Sequence, residues 1–366
     1  EIGSGLVGSE MCIRDSRDIA LIGSQLYVLN SKNWGTPAVN ILNAEDASYK
    51  GTLSMEGLAS ATGKLGGLAV ADGKLIASNI VSATQNLRVY IWDNDAAAPR
   101  VLVQKDAAGI ITGGSIAFSG TLNNGRVWLT KEGANEIVYF EIKNGSCDNN
   151  IHTIALKNAK GEAYKYDSDG RGASKIYPNA DGSFWMVQKD GDVAKFDASG
   201  KITDEVLPAA ALGGSRYGTA FAPFNVGNKK YIAAITYKTG NIGNGQIAII
   251  DVTDGIAKAT APIMNLPEEG FGSDNNAQFA SAVIAQAGGS LNGNISLYVN
   301  VHNQGIARFF YEGESKDAIS DVISIKDAEG DAEYYNLQGV RIAADNLTTG
   351  VYIRRQGNKA EKVYVK

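Results

Sequence analysis

The chain consists of short apolar runs separated by small polar turns, and one arrangement of these runs recurs six times. Each repeat opens on an apolar run and continues through a turn, a second run, a polar loop and a third run. The repeats start at residues 17, 66, 113, 170, 215 and 277, so that successive starts lie 45 to 62 residues apart. β-branched and aromatic residues dominate the runs, and no 3.6-residue periodicity persists in the first 313 residues. The pattern therefore predicts β-strands.

The residues between the first and second runs indicate hairpins, because Gly, Asn and Asp tolerate the positive φ that short turns require. These pairs are Gly23-Ser24, Asp72-Gly73, Asn124-Gly125, Asp181-Gly182, Gly227-Asn228 and Asn292-Gly293. A fourth run closes most repeats, as at Arg100. Four antiparallel strands in repeats of about 40–50 residues are typical of a propeller. We therefore predict an all-β protein, a β-propeller of about six four-stranded blades over residues 17–313. The last repeat lacks an obvious fourth strand after Tyr311. In closed propellers an N-terminal strand often completes the final blade, so we expect the truncated end to have supplied it; loss of a whole seventh blade of the full-length protein is the alternative.

The first sixteen residues do not fit the repeat. Their stretch Leu6 to Ser16 resembles a translated sequencing-adapter artefact. We therefore expect residues 1–16 to be such an artefact or a disordered leader, and the native N-terminus, with any signal peptide, to be missing from this fragment.

The repeat pattern ends near residue 313, and a linker over 314–330 precedes a tail over 331–366. The tail contains three short strand-like motifs, Tyr335-Asn-Leu-Gln-Gly339, Gly350-Val-Tyr-Ile353 and Lys362-Val-Tyr-Val-Lys366. In this order they resemble the C-terminal sorting domain of secreted Bacteroidetes proteins, and the whole chain resembles uncharacterised secreted propellers of that phylum. The resemblance implies a small β-sandwich-like domain, recognition by the secretion machinery, and an extracellular or outer-membrane-surface location. A small accessory β-domain without a sorting role is the alternative.

The composition argues against several classes of function. The 366 residues include 34 basic and 39 acidic ones, and a net charge of −5 does not favour nucleic acid as a partner. The only histidines are His152 and His302, too few for most histidine-based metal sites or acid–base chemistry. Cys12 and Cys147 cannot form a disulfide framework, and Cys147 lies in a predicted turn beside Asp148, a poor setting for a reactive thiolate. No apolar run reaches the ~18–20 residues of a transmembrane helix.

Basic residues recur at one predicted end of the propeller, where first strands begin and second strands end. A ring of cations there would attract an anionic ligand, and an exposed tryptophan could stack on a sugar ring. The predicted ligand-binding residues are Arg17, Trp34, Lys131, Arg171, Lys189, Arg216 and Lys238. The alternative is structural: the cations pair with neighbours such as Asp18, Glu132 and Asp190, and the tryptophan packs against the next blade.

Catalytic motifs are scarce. No Gly-Xaa-Ser-Xaa-Gly elbow is present, and Asp167-Ser-Asp-Gly170 opens like a calcium loop without its closing Glu. We therefore predict no cofactor, with calcium as the alternative, and favour a protein that binds a glycan or an anionic small molecule. A metal-dependent hydrolase or lyase of the lactonase type is the second hypothesis, with Asp18, Asn275, Asn276 and Gln278 as candidate ligands. A protein-interaction scaffold is the third.

Overall fold

A computed structural model describes most of the chain in separate stretches. These are residues 2–6, 16–30, 37–58, 64–133, 135–164, 166, 174–188, 193–207, 219–237, 245–271, 281–287, 295–301, 305–311, 322–323, 332–336, 340–356 and 359–365. The chain divides into two units: a larger one over 2–288 and 295–311, and a smaller one that includes 312–366. We describe each unit by itself.

The first strand, β1 (Ile2–Leu6), belongs to the last sheet of the larger unit and is described with it. Sheets 1 and 2 each contain four antiparallel strands in sequence order. Sheet 1 comprises β2 (Ser16–Ile22), β3 (Gln25–Asn30), β4 (Ala38–Asn43) and β5 (Tyr49–Thr52). Sheet 2 comprises β6 (Leu65–Ala71), β7 (Lys74–Asn79), β8 (Leu87–Trp92) and β9 (Arg100–Lys105).

Sheet 3 has five strands because its outer edge is made in two pieces, both paired with the third strand. It comprises β10 (Thr112–Thr121), β11 (Asn124–Lys131), β12 (Glu136–Lys143), β13 (Ser146–Cys147) and β14 (His152–Ala155). Sheet 4 comprises β15 (Ser174–Pro178), β16 (Phe184–Gln188), β17 (Val193–Phe196) and β18 (Ile202–Leu207).

Sheet 5 comprises β19 (Phe221–Val226), β20 (Lys229–Tyr237), β21 (Gly245–Asp251) and, after a 3-10 turn at Ile256–Lys258, β22 (Met264–Leu266). Sheet 6 comprises β23 (Ser281–Ala287), β24 (Ile295–Val301) and β25 (Gly305–Tyr311), and β1 pairs antiparallel with β25 as its fourth strand. Of the stretch 1–16, which we expect to be an artefact or a disordered leader, the structure describes residues 2–6 and 16, and Ile2–Leu6 forms a strand. It also supplies the fourth strand that the last repeat lacks.

The sheets pack face against face, and each pair of neighbours shares an apolar core. The second strand of a repeat is buried on both faces, which explains its continuous apolar sequence: Leu75 and Ala77 contact the core shared with sheet 1, whereas Ile76 contacts the core shared with sheet 3. Further cores join sheets 3 and 4 and then sheets 4, 5 and 6. Sheet 6 packs on sheet 1 through Ala282 and Tyr298 against Val28. The six sheets confirm the predicted β-propeller fold.

One predicted turn is displaced. Asn124 and Gly125 were expected to form the hairpin turn of the third repeat, but both lie in β11, and the turn falls at residues 122–123. Gly125 instead allows β10 and β11 to approach closely, because a Cβ at residue 125 would lie 2.4 Å from the carbonyl oxygen of Thr121. The Asp72-Gly73 turn is as predicted, with φ values of 54° and 75°.

The smaller unit contains one five-stranded sheet among its described residues, in the order β26, β30, β29, β27, β28. Its elements are β26 (Val322–Ile323), β27 (Glu333–Tyr335), β28 (Arg341–Ile342), a 3-10 turn at Ala344–Asn346, β29 (Gly350–Gln356) and β30 (Lys359–Val365). Tyr334, Leu347 and Val363 form its core. Residues 350–353 of the second tail motif lie in β29, and residues 362–365 of the third lie in β30. Tyr335 of the first motif is the last residue of β27, and residues 337–339 of that motif lie outside the described residues. The second layer of the expected sandwich-like arrangement is not among the described residues.

Helices in the described residues are limited to the two three-residue 3-10 turns. None of them is long enough to cross a membrane.

Candidate functional site

A central channel runs between the innermost strands of the larger unit. Its cavity measures about 370 Å³ and is lined by side chains from the first strand of every sheet. The six strands contribute, among others, Ile19, Leu68, Ile116, Ile176, Pro223 and Val283. Most of this wall is apolar, so the few charged side chains within it are the groups that could orient a ligand.

The innermost strands begin at the same end of the channel, which we call the mouth. There, the strand starts approach one another closely: Arg17 lies against Gly66, and a Cβ on Gly66 would lie 1.9 Å from the carbonyl oxygen of Gly113. Glycine is therefore required at residue 66, since any side chain would collide with the neighbouring backbone. This close spacing fixes the positions of the mouth side chains relative to one another.

A buried ion pair crosses the channel at the mouth. Lys175 Nζ lies 3.1 Å from Asp18 Oδ1, and the two side chains are only 10% and 7% exposed. Asp18 comes from β2 in sheet 1, and Lys175 comes from β15 in sheet 4, half a turn around the six sheets. The pair therefore joins opposite sides of the propeller and lies in the wall of the cavity.

The carboxylate of Asp18 is held in place by the backbone as well as by lysine. Its Oδ2 accepts a hydrogen bond from the N–H of Leu68 at 3.0 Å, and its Oδ1 accepts one from the N–H of Ile19 at 3.1 Å. Charge-assisted bonds of this kind are stronger than neutral ones, especially where water is excluded. Asp18 is thereby fixed toward the channel from its own strand and from the adjacent sheet.

Tyr177 lies in the same strand as Lys175 and also lines the channel. Its hydroxyl donates a hydrogen bond of 2.6 Å to the carbonyl oxygen of Thr219, at the start of sheet 5. Desolvation of the phenol, followed by the nearby Asp18 carboxylate, raises the pKa of Tyr177 well above its usual range. The phenol therefore remains protonated and acts as a fixed donor between sheets 4 and 5.

Two of the predicted ligand-binding residues lie in described parts of the chain, and both have protein contacts. Arg17 is buried, and its Nε donates a hydrogen bond of 2.8 Å to the carbonyl oxygen of Gly66. Lys131 pairs with Glu136, the first residue of the next strand. These contacts agree with the structural alternative for these two cations, although they do not test ligand binding. Trp34, Arg171, Lys189, Arg216 and Lys238 lie outside the described residues.

Sequence reasoning missed Lys175, although a signal was present. In repeats 1 and 4 a charged residue directly precedes the first isoleucine of the innermost strand, as Asp18-Ile19 and Lys175-Ile176. The preceding residue is Gly67 in repeat 2 and Ser115 in repeat 3. Opposite charges at one repeat position, three repeats apart in a six-sheet ring, meet across the channel.

The residues considered for catalysis are not gathered into a site in the described stretches. Asp18 is engaged by Lys175, while Asn275, Asn276, Gln278 and the segment Asp167–Gly170 lie outside those stretches. Within them, no group of three His, Cys, Asp or Glu side chains could hold a metal ion. Burial raises the pKa of the Cys147 thiol, which keeps it in the less reactive protonated form.

No protein-family model and no curated protein matches the sequence. Among solved structures, a DUF4623 family protein from Bacteroides eggerthii DSM 20697 is similar, with a TM-score of 0.65 and 15% identity over 86% of this chain and 76% of that chain. At this identity the likeness shows the fold alone.

Two further structures are more distant. A putative exo-beta-1,3-galactanase from Bifidobacterium bifidum s17 has a TM-score of 0.47 and 11% identity, covering 74% of this chain and 98% of that chain. An endo-arabinase from Bacteroides thetaiotaomicron VPI-5482 has a TM-score of 0.40 and 11% identity, covering 85% of this chain and 99% of that chain. Neither likeness is close enough to support an argument about this protein.

Proposed function

We propose that this protein is an exported or surface-associated binding protein that takes a glycan or an anionic small molecule at the mouth of its central channel. The observation that carries the proposal is the Asp18–Lys175 pair, a carboxylate and an ammonium in the wall of a cavity of about 370 Å³. Ligand sites are commonly concave and largely apolar, with a few polar groups that fix orientation.

The chemistry of the pair suits a hydroxyl-rich or acidic ligand. An ammonium carries three donors and a carboxylate offers about four acceptor positions, so the pair presents both kinds of hydrogen bond at one point. A sugar hydroxyl can donate to Asp18 and accept from Lys175 at the same time, while a uronic acid carboxylate would pair with Lys175. The apolar side chains deeper in the channel, such as Ile116 and Phe118, can pack against the C–H face of a sugar ring.

The tail supports export. Its motifs resemble those of a sorting domain, and their described residues fall in one sheet: Tyr335 ends β27, and residues 350–353 and 362–365 lie in β29 and β30. Under this proposal, the secretion machinery recognises residues 331–366 and delivers the larger unit to the cell surface or beyond. Deletion of 331–366 should leave the protein inside the outer membrane of a Bacteroidetes host, as fractionation would show. Unchanged export of the truncated protein would contradict this part of the proposal.

Binding is tested by titration calorimetry of the full chain against neutral and uronic-acid-containing oligosaccharides. The double variant Asp18→Asn with Lys175→Met removes both charges together and should lose most of the affinity for an acidic ligand. Lys74→Met, which removes a partly exposed lysine from the start of β7 in sheet 2, is the matched control and should bind as the parent does. Equal affinity of the parent and the double variant would overturn the assignment of the site.

The other two functions give different outcomes in the same experiment. Calcium-dependent release of reducing sugar, or hydrolysis of a lactone to its hydroxy acid, abolished by EDTA, would favour the metal-dependent hydrolase or lyase. Absence of binding to every oligosaccharide would reject the glycan proposal and leave the scaffold hypothesis.

A further inference from the structure

A second cavity lies between sheets 5 and 6, away from the channel, and shares no lining residue with it. Its volume is about 160 Å³. Three cross-strand pairs form most of its wall: Phe224 with Tyr231, Ile249 with Met264, and Leu297 with Phe309. The first two pairs belong to sheet 5 and the third to sheet 6.

The wall is almost entirely apolar, and this determines what can occupy the cavity. Leu297 and Phe309 are buried, and Phe224 stacks on Tyr231 with their ring centroids 5.5 Å apart. A water molecule in such a space needs two to four polar partners, of which the lining side chains offer only the tyrosine hydroxyl. Water is therefore a poor occupant, and an apolar group is a good one.

The outer strand of sheet 5, which lines the cavity, is short. Strand β22 has three residues, Met264–Leu266, compared with six in the corresponding strand β9 of sheet 2. Ile263, immediately before β22, is 54% exposed at the edge of the opening. The space between the two sheets is therefore open to solvent beside this residue, and a small molecule has a path into it.

We infer that this cavity is a binding site for a single aromatic ring, carried by a small molecule or by the end of a larger ligand. An apolar cavity of about 150 Å³ is known to accept benzene, which matches the size of the space here. Aromatic rings in contact prefer offset or edge-to-face arrangements with centroids about 4.5–7 Å apart, and the walls provide Phe224, Tyr231 and Phe309 for such contacts. The site is independent of the ligand proposed for the channel.

Thermal denaturation of the full chain with toluene tests the inference. Near-saturating toluene should raise Tm by about 2 to 5 °C, because a ligand that binds only the folded state stabilises it. Absence of a toluene shift in the parent protein would overturn the inference.

Location is tested by filling the cavity. Met264→Trp places a large ring at the half-buried edge of the space and should abolish the toluene shift. Val101→Trp enlarges an exposed residue in the outer strand of sheet 2 and should leave the shift intact. A shift that survives Met264→Trp would place toluene elsewhere and reject the site. Leu266→Phe gives a second filling variant if Met264→Trp fails to fold. The channel variant Asp18→Asn with Lys175→Met should retain the shift, which separates this inference from the proposed function.

Discussion

Two clusters of charged side chains in the larger unit differ in almost every physical respect. At the channel mouth, Asp18 and Lys175 are separated by 157 residues in sequence and are nearly inaccessible to solvent. On the edge of sheet 2, Asp93 pairs with Lys74 at 2.6 Å and with Arg100 at 3.1 Å. These three side chains are 35% to 43% exposed and come from one hairpin and the strand that follows it.

The difference shows why two ion pairs with similar distances can contribute differently to stability. An exposed ion pair gives up contacts with water for an attraction that the high dielectric weakens to a similar strength. It therefore contributes little to the stability of the fold. In a buried pair, removal of one partner leaves a charge without compensation, which is costly even where the intact pair adds little net stability. Substitution of one residue of the channel pair should therefore be costly in stability, whereas substitution in the exposed sheet 2 cluster should change stability little.

The largest expected effect comes from breaking the channel pair on one side. Lys175→Met should lower the free energy of unfolding by about 3 kcal/mol, because the Asp18 carboxylate stays buried and, among the described residues, keeps only its two backbone donors. Urea unfolding followed by circular dichroism measures the change. Lys74→Met is the matched control and should change stability by less than about 0.5 kcal/mol. Equal losses in the two variants would contradict the distinction between buried and exposed pairs.

Removing both charges should restore part of that loss. In Asp18→Asn with Lys175→Met, the amide oxygen can still accept a backbone hydrogen bond, and neither member of the pair is left as an uncompensated charge. We expect the double variant to be more stable than Lys175→Met, with a coupling energy of about 1–3 kcal/mol from the double-mutant cycle. Additive effects of the two substitutions would show that the side chains do not interact in solution.

Salt should affect the coupling energies of the two clusters differently. The coupling of Lys74 with Asp93, a few tenths of a kcal/mol at low ionic strength, should largely vanish in 1 M NaCl because exposed charges are screened over about 3 Å there. The coupling of Asp18 with Lys175 should change much less, since the pair is shielded from solvent ions. Both cycles can be measured by urea unfolding at the two salt concentrations. A similar salt response of the two pairs would indicate that the channel mouth is well hydrated.

The smallest effect concerns pH. Hydrogen bonds from Lys74 and then Arg100 lower the pKa of Asp93. A lowered pKa in the folded state contributes stability above the unfolded value of about 3.9, and this contribution disappears as pH falls through the folded pKa. Because Asp93 is 42% exposed, we expect only a few tenths of a kcal/mol.

An NMR titration of the Asp93 carboxyl should show the lowered midpoint. The stability difference between the parent and Asp93→Asn should shrink below pH 4. An Asp93 midpoint at the unfolded value would show that the contacts with Lys74 and Arg100 are not maintained in solution.

The sequence predicted the local parts of the fold well, because they depend on neighbours along the chain. Runs of β-branched and aromatic residues flanked by turn residues specify hairpins, and Asp72-Gly73 adopts the expected turn. Gly125 misled the turn assignment, since a glycine needed for close strand contact looks the same in sequence as one needed for a turn. Buried Arg17 shows a similar ambiguity, because an arginine at a channel mouth can serve either a ligand or the adjacent backbone.

By itself, the sequence determined six strand repeats, the all-β class and the three strand motifs of the tail. Only the tertiary structure decided that Asp18 meets Lys175, that β1 completes sheet 6, and that an apolar cavity opens beside Ile263. The physical reason is separation along the chain. Hairpin contacts are set by local turn chemistry and alternation, whereas contacts across the ring depend on how many sheets pack together and at what register. A pair of charges 157 residues apart has no local signal beyond its shared position in the repeat.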